Sequence, residues 1–284
     1  MWIKALVMIG FFSLICSCGS LEVSNGNENK VLSSKNLADD PAVQLVSART
    51  KMVSSANGVF IGKLIGNIEL ENISYTKAVV VHYTTGNGVW KDAGAYYVQS
   101  LPNNRERWAF NFDMGQTTYF GDPRGGYQGA SINCMFAVKY VVSGKEYWDN
   151  NGGINIDYRV STEGTGALYG KAAFGKNKVI LTYATYSSYP DTYFRGSIST
   201  KNLGTAVKAV KVVCTTNNWV TTSVLNASLT SSFMGVDNWF FTDPKGNIGN
   251  VTYKFAVSYQ YNGTTYWDNN FNNNYYVSIG HDAP

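Results

Sequence analysis

The chain has 284 residues, of which 44% are hydrophobic, 15% charged and 14% aromatic, and its 23 basic and 19 acidic residues leave a formal charge of +4. No run of lysine or arginine forms the positive stripe that binds a nucleic-acid backbone, so we expect no nucleic-acid partner. The length fits one large domain or two of ordinary size and does not choose between them.

Residues 1–18 are typical of an export signal. Lys4 supplies a basic start, and the apolar run from Ala5 to Ile15 is shorter than the roughly 20 residues of a membrane span. The segment resembles the lipobox of bacterial lipoproteins, in which Cys18 would receive the lipid. An ordinary secretory signal is the alternative. We therefore expect an exported lipoprotein, held in the outer membrane or at the cell surface by acyl chains on Cys18.

Residues 19–40 are polar, poor in aromatics and without a clear period, which is typical of a flexible tether. The folded part of the chain is therefore expected to begin near residue 41.

An internal repeat divides this folded part. The segment Phe136–Asn155 recurs as Phe255–Asn274 without a gap, at an offset of 119 residues, as from Trp148 to Trp267. Upstream segments also match, with one extra residue in the second copy. We predict a first module, a polar linker and a second module at residues 41–160, 161–166 and 167–284.

The local pattern in each copy is that of β-strands. Val79, Val81 and Tyr83 alternate at period two with Val80 and His82. Clusters of Gly, Asn, Asp and Pro separate such runs too often for helices to fit between them. The pattern therefore predicts an all-β chain of two tandem antiparallel β-sandwiches.

Beyond the leader only two cysteines remain, Cys134 and Cys214, at non-equivalent positions of the repeat. Cys214 aligns with Tyr83, on the inward side of its strand. We therefore expect two free, buried thiols rather than a disulfide.

The 20 tyrosines and 7 tryptophans exceed the needs of two small cores. Sugar rings would explain the surplus, because their apolar faces stack on aromatic rings while their hydroxyls need amide and carboxylate partners. Each copy combines these groups in a Trp-Asp-Asn-Asn run followed by another asparagine. The candidates are Trp148, Asp149, Asn150, Asn151 and Asn155, and then Trp267, Asp268, Asn269, Asn270 and Asn274. A turn beside a core tryptophan is the alternative, since Asp and Asn favour turns.

The motifs resemble the family 21 carbohydrate-binding modules, which bind starch and glycogen. The resemblance rests on Leu70–Lys77, Trp90 and Phe136–Asn155, which span nearly the whole first copy. It implies immunoglobulin-like sandwiches that bind α-1,4-linked glucan without cleaving it. By position, it implies binding through Trp90, Trp148, Asn150 and Asn155 in the first module and through Trp219, Trp267, Asn269 and Asn274 in the second.

Two departures from the family pattern bear on the sites. Ala137 and Ala256 stand where starch-binding members often place an outward aromatic, so we expect a narrower platform. Tyr75 matches the tyrosine of a second family site, whereas the second module reads Gly204–Val207 there. We therefore expect the second site in the first module alone.

The sequence indicates a binding protein rather than an enzyme. A glycosidase needs two carboxyl groups facing one sugar, about 5 to 10 Å apart, but Asp149 and Asp268 belong to separate modules. His82 on an outward strand position and His281 near the C-terminal end of the sequence suggest neither a triad nor a metal site, and we expect no cofactor.

These expectations combine into one hypothesis. The lipid would hold the protein at the cell, and two modules would retain starch, glycogen or maltooligosaccharides for separate amylases or transporters. Two alternatives stay open, namely an adhesive protein that uses its sandwiches to contact other proteins, and a binder of a different glycan.

Overall fold

A computed structural model describes the fold between residues 41 and 283. The described ranges are 41–55, 58–86, 88–118, 120–121, 127–128, 131–152, 158–162, 171–187, 193–233, 235–243 and 251–283. The predicted leader, the lipid attachment site Cys18, the tether and Asn155 lie outside these ranges. Residues from Pro41 onward form one compact unit.

The first module is built from β-strands that pair with antiparallel neighbours. Their bounds are β1 Val43–Ser54, β2 Val59–Glu71, β3 Lys77–Thr84, β4 Lys91–Gly94, β5 Tyr96–Leu101, β6 Arg105–Thr118, β7 Phe120–Gly121, β8 Tyr127–Gln128, β9 Asn133–Val142, β10 Lys145–Asp149, β11 Tyr158–Ser161 and β12 Ala172–Phe174. One sheet has the order β12-β1-β2-β6-β5, and the facing sheet has the order β10-β9-β3-β4, with β11 also on β9. Strands β7 and β8 pair with each other.

The second module repeats this plan. Its strands are β13 Val179–Ser187, β14 Tyr193–Lys201, β15 Lys208–Thr215, β16 Ser223–Asn226, β17 Ser228–Phe233, β18 Val236–Asp243, β19 Tyr253–Tyr261, β20 Thr264–Asp268 and β21 Tyr275–Val277. One sheet has the order β13-β14-β18-β17, and the other β16-β15-β19-β20, with β21 also on β19. We call β10-β9-β3-β4 and β16-β15-β19-β20 the tryptophan sheets.

Each sandwich closes over its own hydrophobic core because alternate strand residues face inward. In the first core Phe136, Val138 and Tyr140 of β9 are fully buried, and in the second Phe255 and Val257 of β19 are. The prediction of an all-β chain with two tandem sandwiches is confirmed. The described part of the chain contains no helix suited to spanning a membrane.

The two remaining cysteines lie one in each core. Cys134 and Cys214 are free and buried, as predicted. Burial raises the pKa of the Cys134 thiol to about 12 and that of Cys214 to about 11.

Strand β12 precedes the second sandwich, and residues 163–166 of the predicted linker lie outside the described ranges. Strand β12 falls within the predicted range of the second module, but it pairs with β1 and so completes a sheet of the first. The second sandwich begins only at Val179. Gly175 passes so close to β1 that a Cβ atom there would lie 1.9 Å from the Leu45 carbonyl oxygen. Across the junction, the Arg107 guanidinium lies 4.1 Å from the centre of the Phe271 ring.

The second module has a counterpart of this pairing. Ala184 of β13 forms a β-bridge with Ala283, at the position where Ala48 of β1 pairs with Ala173. Ala283 therefore lies beside β13 as β12 lies beside β1.

Candidate functional site

The outer face of the first tryptophan sheet carries the candidate rings. Trp148 of β10 pairs with Lys139 of β9, and His82 of β3 lies between Ala137 of β9 and Asp92 of β4. Because paired residues of a sheet share a face, all of these side chains lie opposite the core.

Trp90 and Trp148 meet there around His82. The Trp90 ring stacks on His82 with centroids 4.8 Å apart and an interplanar angle of 9°, whereas Trp148 meets His82 edge-on at 5.7 Å and 85°. The two indole planes are therefore roughly perpendicular. With 38% of Trp90 and 44% of Trp148 exposed, both rings keep surface for a ligand.

Polar contacts fix the orientation of these rings. The Nδ1 of His82 lies 2.5 Å from an Asp92 oxygen, and the Trp148 indole N–H donates to Glu146 at 3.3 Å. Lys139 lies 3.6 Å from Asp92 and 3.9 Å from Glu146, with its ammonium 5.4 Å from the Trp148 ring centre. The hydrogen bond from His82, with the nearby Lys139 charge, holds the pKa of Asp92 below its ordinary value.

The sequence did not single out His82, Asp92, Lys139 and Glu146 as site residues. They are separated along the chain and meet only through strand register. The outward period-two position of His82 was the available signal, but its contact with Trp90 depends on the path of the β3–β4 connection.

The candidate carboxylates Asp149 and Asp268 point away from this face. Each follows an outward tryptophan in its strand, and consecutive strand residues face opposite sides. The sequence analysis grouped each aspartate with the tryptophan before it because the two are adjacent in sequence, but their side chains face opposite sides of the sheet. A role for either carboxylate in carbohydrate binding stays a prediction.

Both aspartates tie the strand end to the rest of the sandwich. Asp149 accepts hydrogen bonds from the Leu45 amide at 2.6 Å and the Tyr158 hydroxyl at 3.0 Å. Asp268 accepts from the Leu181 amide and the Tyr275 hydroxyl, both at 2.7 Å. The donating residues, Leu45 and Leu181, each come directly before the extra residue of a β-bulge, in β1 and β13 respectively. Burial raises the pKa of Asp268 despite these bonds.

The asparagines divide between turn and surface roles. In the second module Asn269 exchanges hydrogen bonds with Asn272 at 3.0 and 3.1 Å, and the Asn274 amide donates to the Asn269 carbonyl. Asn274 has a φ of 58°, in the left-handed region that asparagine tolerates. In the first module Asn150 is half-buried near Trp148. These bonds support the turn interpretation for Asn269, and binding roles for Asn150, Asn269 and Asn274 stay predictions.

The outer face of the second tryptophan sheet carries different residues around its tryptophans. Trp267 and Trp219 are 52% and 36% exposed. By register, uncharged residues replace the charged ones of the first module. Val213, Val224, Ser258 and Thr265 stand where the first module has His82, Asp92, Lys139 and Glu146.

Trp219 is held by its own loop instead of by a histidine. Its backbone has a φ of 70°, and its amide donates to the Thr215 hydroxyl at 3.0 Å. Asn217 braces the same loop by accepting from the Thr221 amide at 2.9 Å. The second site therefore combines two exposed indoles with uncharged residues at these four positions, while Lys211 lies on the same face beside Ser258 and Lys254 donates to Asn218 next to Trp219.

Tyr75 lies away from the paired rings. It is 98% exposed in the β2–β3 connection, at the opposite end of β3 from the connection that carries Trp90. The corresponding segment of the second module exposes Val207 instead. A binding role for Tyr75 stays a prediction. Among the described residues no group of three or more His, Cys, Asp or Glu side chains could hold a metal.

Comparison with known proteins identifies one matching family and several similar proteins. The family model described as carbohydrate/starch-binding module (family 21) matches residues 47–161 and 173–278. Glucoamylase 1 of Rhizopus oryzae is 36% identical over 104 residues, which are 34% of this chain and 14% of the glucoamylase. Protein phosphatase 1 regulatory subunit 3B of Xenopus tropicalis is 24% identical over 134 residues, 45% of this chain and 42% of that protein. The chain thus spans less than half of either relative.

Two solved structures are also similar. One is the starch-binding domain of Rhizopus oryzae glucoamylase in complex with β-cyclodextrin and maltoheptaose, at 28% identity and a TM-score of 0.30, covering 45% of this chain and 99% of that one. The other is the carbohydrate-binding module of the muscle glycogen-targeting subunit of protein phosphatase 1, at 21% identity and a TM-score of 0.28, covering 41% and 74%. The family model covers well over half of the chain in two successive ranges, and the chain therefore belongs to the family 21 carbohydrate/starch-binding modules.

Proposed function

We propose that this chain binds α-1,4-glucan through both modules without cleaving it. The observation that carries the proposal is the pair of exposed indoles in each module, Trp90 with Trp148 and Trp219 with Trp267. In the first module the two rings are roughly perpendicular. Angled stacking surfaces suit successive sugars of a coiled α-linked chain better than those of a flat β-linked ribbon.

The charges of the first site fit binding rather than hydrolysis. A glycosidase needs one carboxyl group that stays protonated beside a second that is ionised. Asp92 has a lowered pKa and lies within 4 Å of the Lys139 ammonium, so it stays ionised. Asp92 therefore lacks the proton that the acid of a glycosidase must donate.

Two modules on one chain would compensate for weak single sites. Ring stacking contributes only about 0.5 to 1.5 kcal/mol per aromatic pair. A glucan long enough to reach both sites would gain roughly 10²- to 10⁴-fold in avidity over either module alone. Starch and glycogen meet that length requirement, whereas short maltooligosaccharides would occupy one module at a time.

Affinity electrophoresis of residues 19–284 in gels with amylopectin, glycogen or a β-glucan tests the proposal. Wild type should be retarded by both α-glucans. The double variants W90A/W148A and W219A/W267A should each be retarded much less, and the quadruple variant should run as in an empty gel. F233A removes an equally exposed aromatic from β17 and serves as the matched control.

The same gels separate the alternatives. An adhesive protein would show no retardation in any of the three polysaccharides. A binder of another glycan would be retarded by the β-glucan more than by amylopectin. Either result would reject the α-glucan proposal.

We further propose that Cys18 carries a lipid that holds the modules at the cell surface, where they would retain glucan for separate amylases or transporters. The proposal is supported by the apolar leader that ends at Cys18. Cells expressing the full chain and its C18S variant should be labelled with an alkyne fatty acid. Label on wild type alone, with surface staining lost in C18S, would support the anchor, and unlabelled wild type would reject it.

A further inference from the structure

A groove of about 650 Å³ runs between the Trp148 end of the first module and the start of the second. Trp148 and Asn150 of the first site form part of its wall. Lys178 and Lys201 of the second module form another part, together with Lys176 of the junction. A glucan stacked on Trp148 would therefore lie at the mouth of a lysine-lined groove.

Two of the three lysines have no counter-ion in the part of the chain that the structure describes. The Lys176 ammonium lies 2.9 Å from Glu69, which also pairs with Arg105. Among the described residues no carboxylate comes within 4.0 Å of the Lys178 or Lys201 ammonium. Both lysines are half-buried, and burial together with the Lys201 charge lowers the pKa of Lys178.

The fold does not require these lysines. The Lys201 amide donates to the Lys178 carbonyl at 2.9 Å, and at the equivalent place in the first module Glu71 donates to Ala42 at the same distance. The first module thus has an alanine and a glutamate where the second has two lysines. The paired lysines, Lys178 and Lys201, therefore occur only in the second module, where they line the groove.

The remaining polar groups of the groove favour an anion. Gln44 lines it with a buried side-chain amide nitrogen that finds no acceptor among the described residues. Asp149 is the one acidic residue among the described residues of the lining, and its oxygens already accept from the Leu45 amide and the Tyr158 hydroxyl. The groove therefore offers several donors and little competing acceptor capacity.

We propose that this groove binds a phosphate monoester carried by the glucan that occupies the first site. Two separate ammonium groups match the charge of a phosphate dianion, and lysine binds phosphate as a point charge. A carboxylate carries a single negative charge and would leave one of the two ammonium groups without a charge partner. This inference rests on the proposed glucan binding and names a substituent that the same site would recognise.

The test compares three ligands by isothermal titration on residues 19–284, which include the whole compact unit. The ligands are maltoheptaose, maltoheptaose with one phosphate monoester, and maltoheptaose with one carboxymethyl group. At low salt, wild type should bind the phosphorylated ligand about tenfold more tightly than the neutral one, and high salt should reduce this preference. In K178Q/K201Q the preference should vanish while neutral affinity and melting temperature persist.

The control variant K51Q/K145Q removes the same charge from lysines outside the groove and should keep the preference. Equal binding of neutral and phosphorylated ligands by wild type would overturn the inference and leave glucan binding intact. A carboxymethyl preference as large as that for phosphate, or its loss in K51Q/K145Q, would also overturn it. Failure of wild type to bind any of the three ligands would instead reject the proposed function.

Discussion

Replacing His82 by valine should weaken glucan binding by the first module without unfolding it. The second module already has a valine at the equivalent strand position, Val213, so the strand accepts this side chain. The substitution removes the imidazole on which Trp90 stacks and the hydrogen bond to Asp92. Trp90 is then still present but no longer stacks on an imidazole ring.

The expected loss follows from that geometry. A stacked aromatic pair contributes about 0.5 to 1.5 kcal/mol, and immobilising a freed side chain on binding costs about the same. Because the 38% exposed Trp90 keeps its other contacts, we take a net loss of about 1 kcal/mol, or roughly fivefold in Kd.

Titration with maltoheptaose in a W219A/W267A background measures the first module alone. The control H281V removes the other histidine, which stacks on Tyr276 with centroids 4.2 Å apart, and should leave Kd unchanged. An H82V variant that binds as tightly as its parent would refute the view that His82 positions Trp90.

The pH dependence gives a second check on the same contact. Because the pKa of Asp92 is lowered in the folded protein, its stabilising contact is complete above the ordinary value of 3.8 and is lost as pH falls through the lowered one. Binding by the first module should therefore be unchanged down to pH 3.8 and weaken only at lower pH in the parent. The same acid loss in H82V would show that the contact is not its cause.

Three further predictions concern the framework. D268A should lower the free energy of unfolding by about 3 kcal/mol, because it strands two buried donors; an unchanged melting temperature would contradict this. G175A should destabilise the chain by about 2 kcal/mol or more in calorimetry, whereas G94A, with open space around its Cβ, should not. Cys134 and Cys214 should resist iodoacetamide at neutral pH until denaturant is added, and rapid labelling of the native chain would show that their cores open.

Repetition and period-two alternation suffice to predict much of this fold. The 119-residue offset aligns Trp148 with Trp267 and Cys134 with Tyr253, and the members of each pair lie in equivalent strands of the two modules. Inward parity also placed Cys214 in the core correctly. Strand positions and inward-facing side chains depend on the local sequence, and period-two alternation is enough to predict them.

The parts that were not predicted depend on distant segments. Strand alternation was enough to place Trp148 and Asp149 on opposite faces of the sheet. The amide that donates to Asp149 could not be predicted, because it belongs to Leu45 of β1, 104 residues away. Strand β12 is only three residues long and has no strong pattern, so its pairing with β1 could not be anticipated. The contact of His82 with Trp90 required the loop path as well as the register.

The pairing of β12 with β1 means that the sequence repeats and the folding units have different boundaries. A first repeat cut at residue 161 would lose β12 and expose the backbone N–H and C=O groups of Ser47–Arg49 along an open strand edge. Exposed edges of this kind recruit strands from other molecules and promote aggregation. Each sandwich is thus protected by residues that follow its own repeat, β12 for the first and Ala283 for the second. Anyone isolating the first module should therefore retain the chain through at least residue 177, whose amide still bonds to β1.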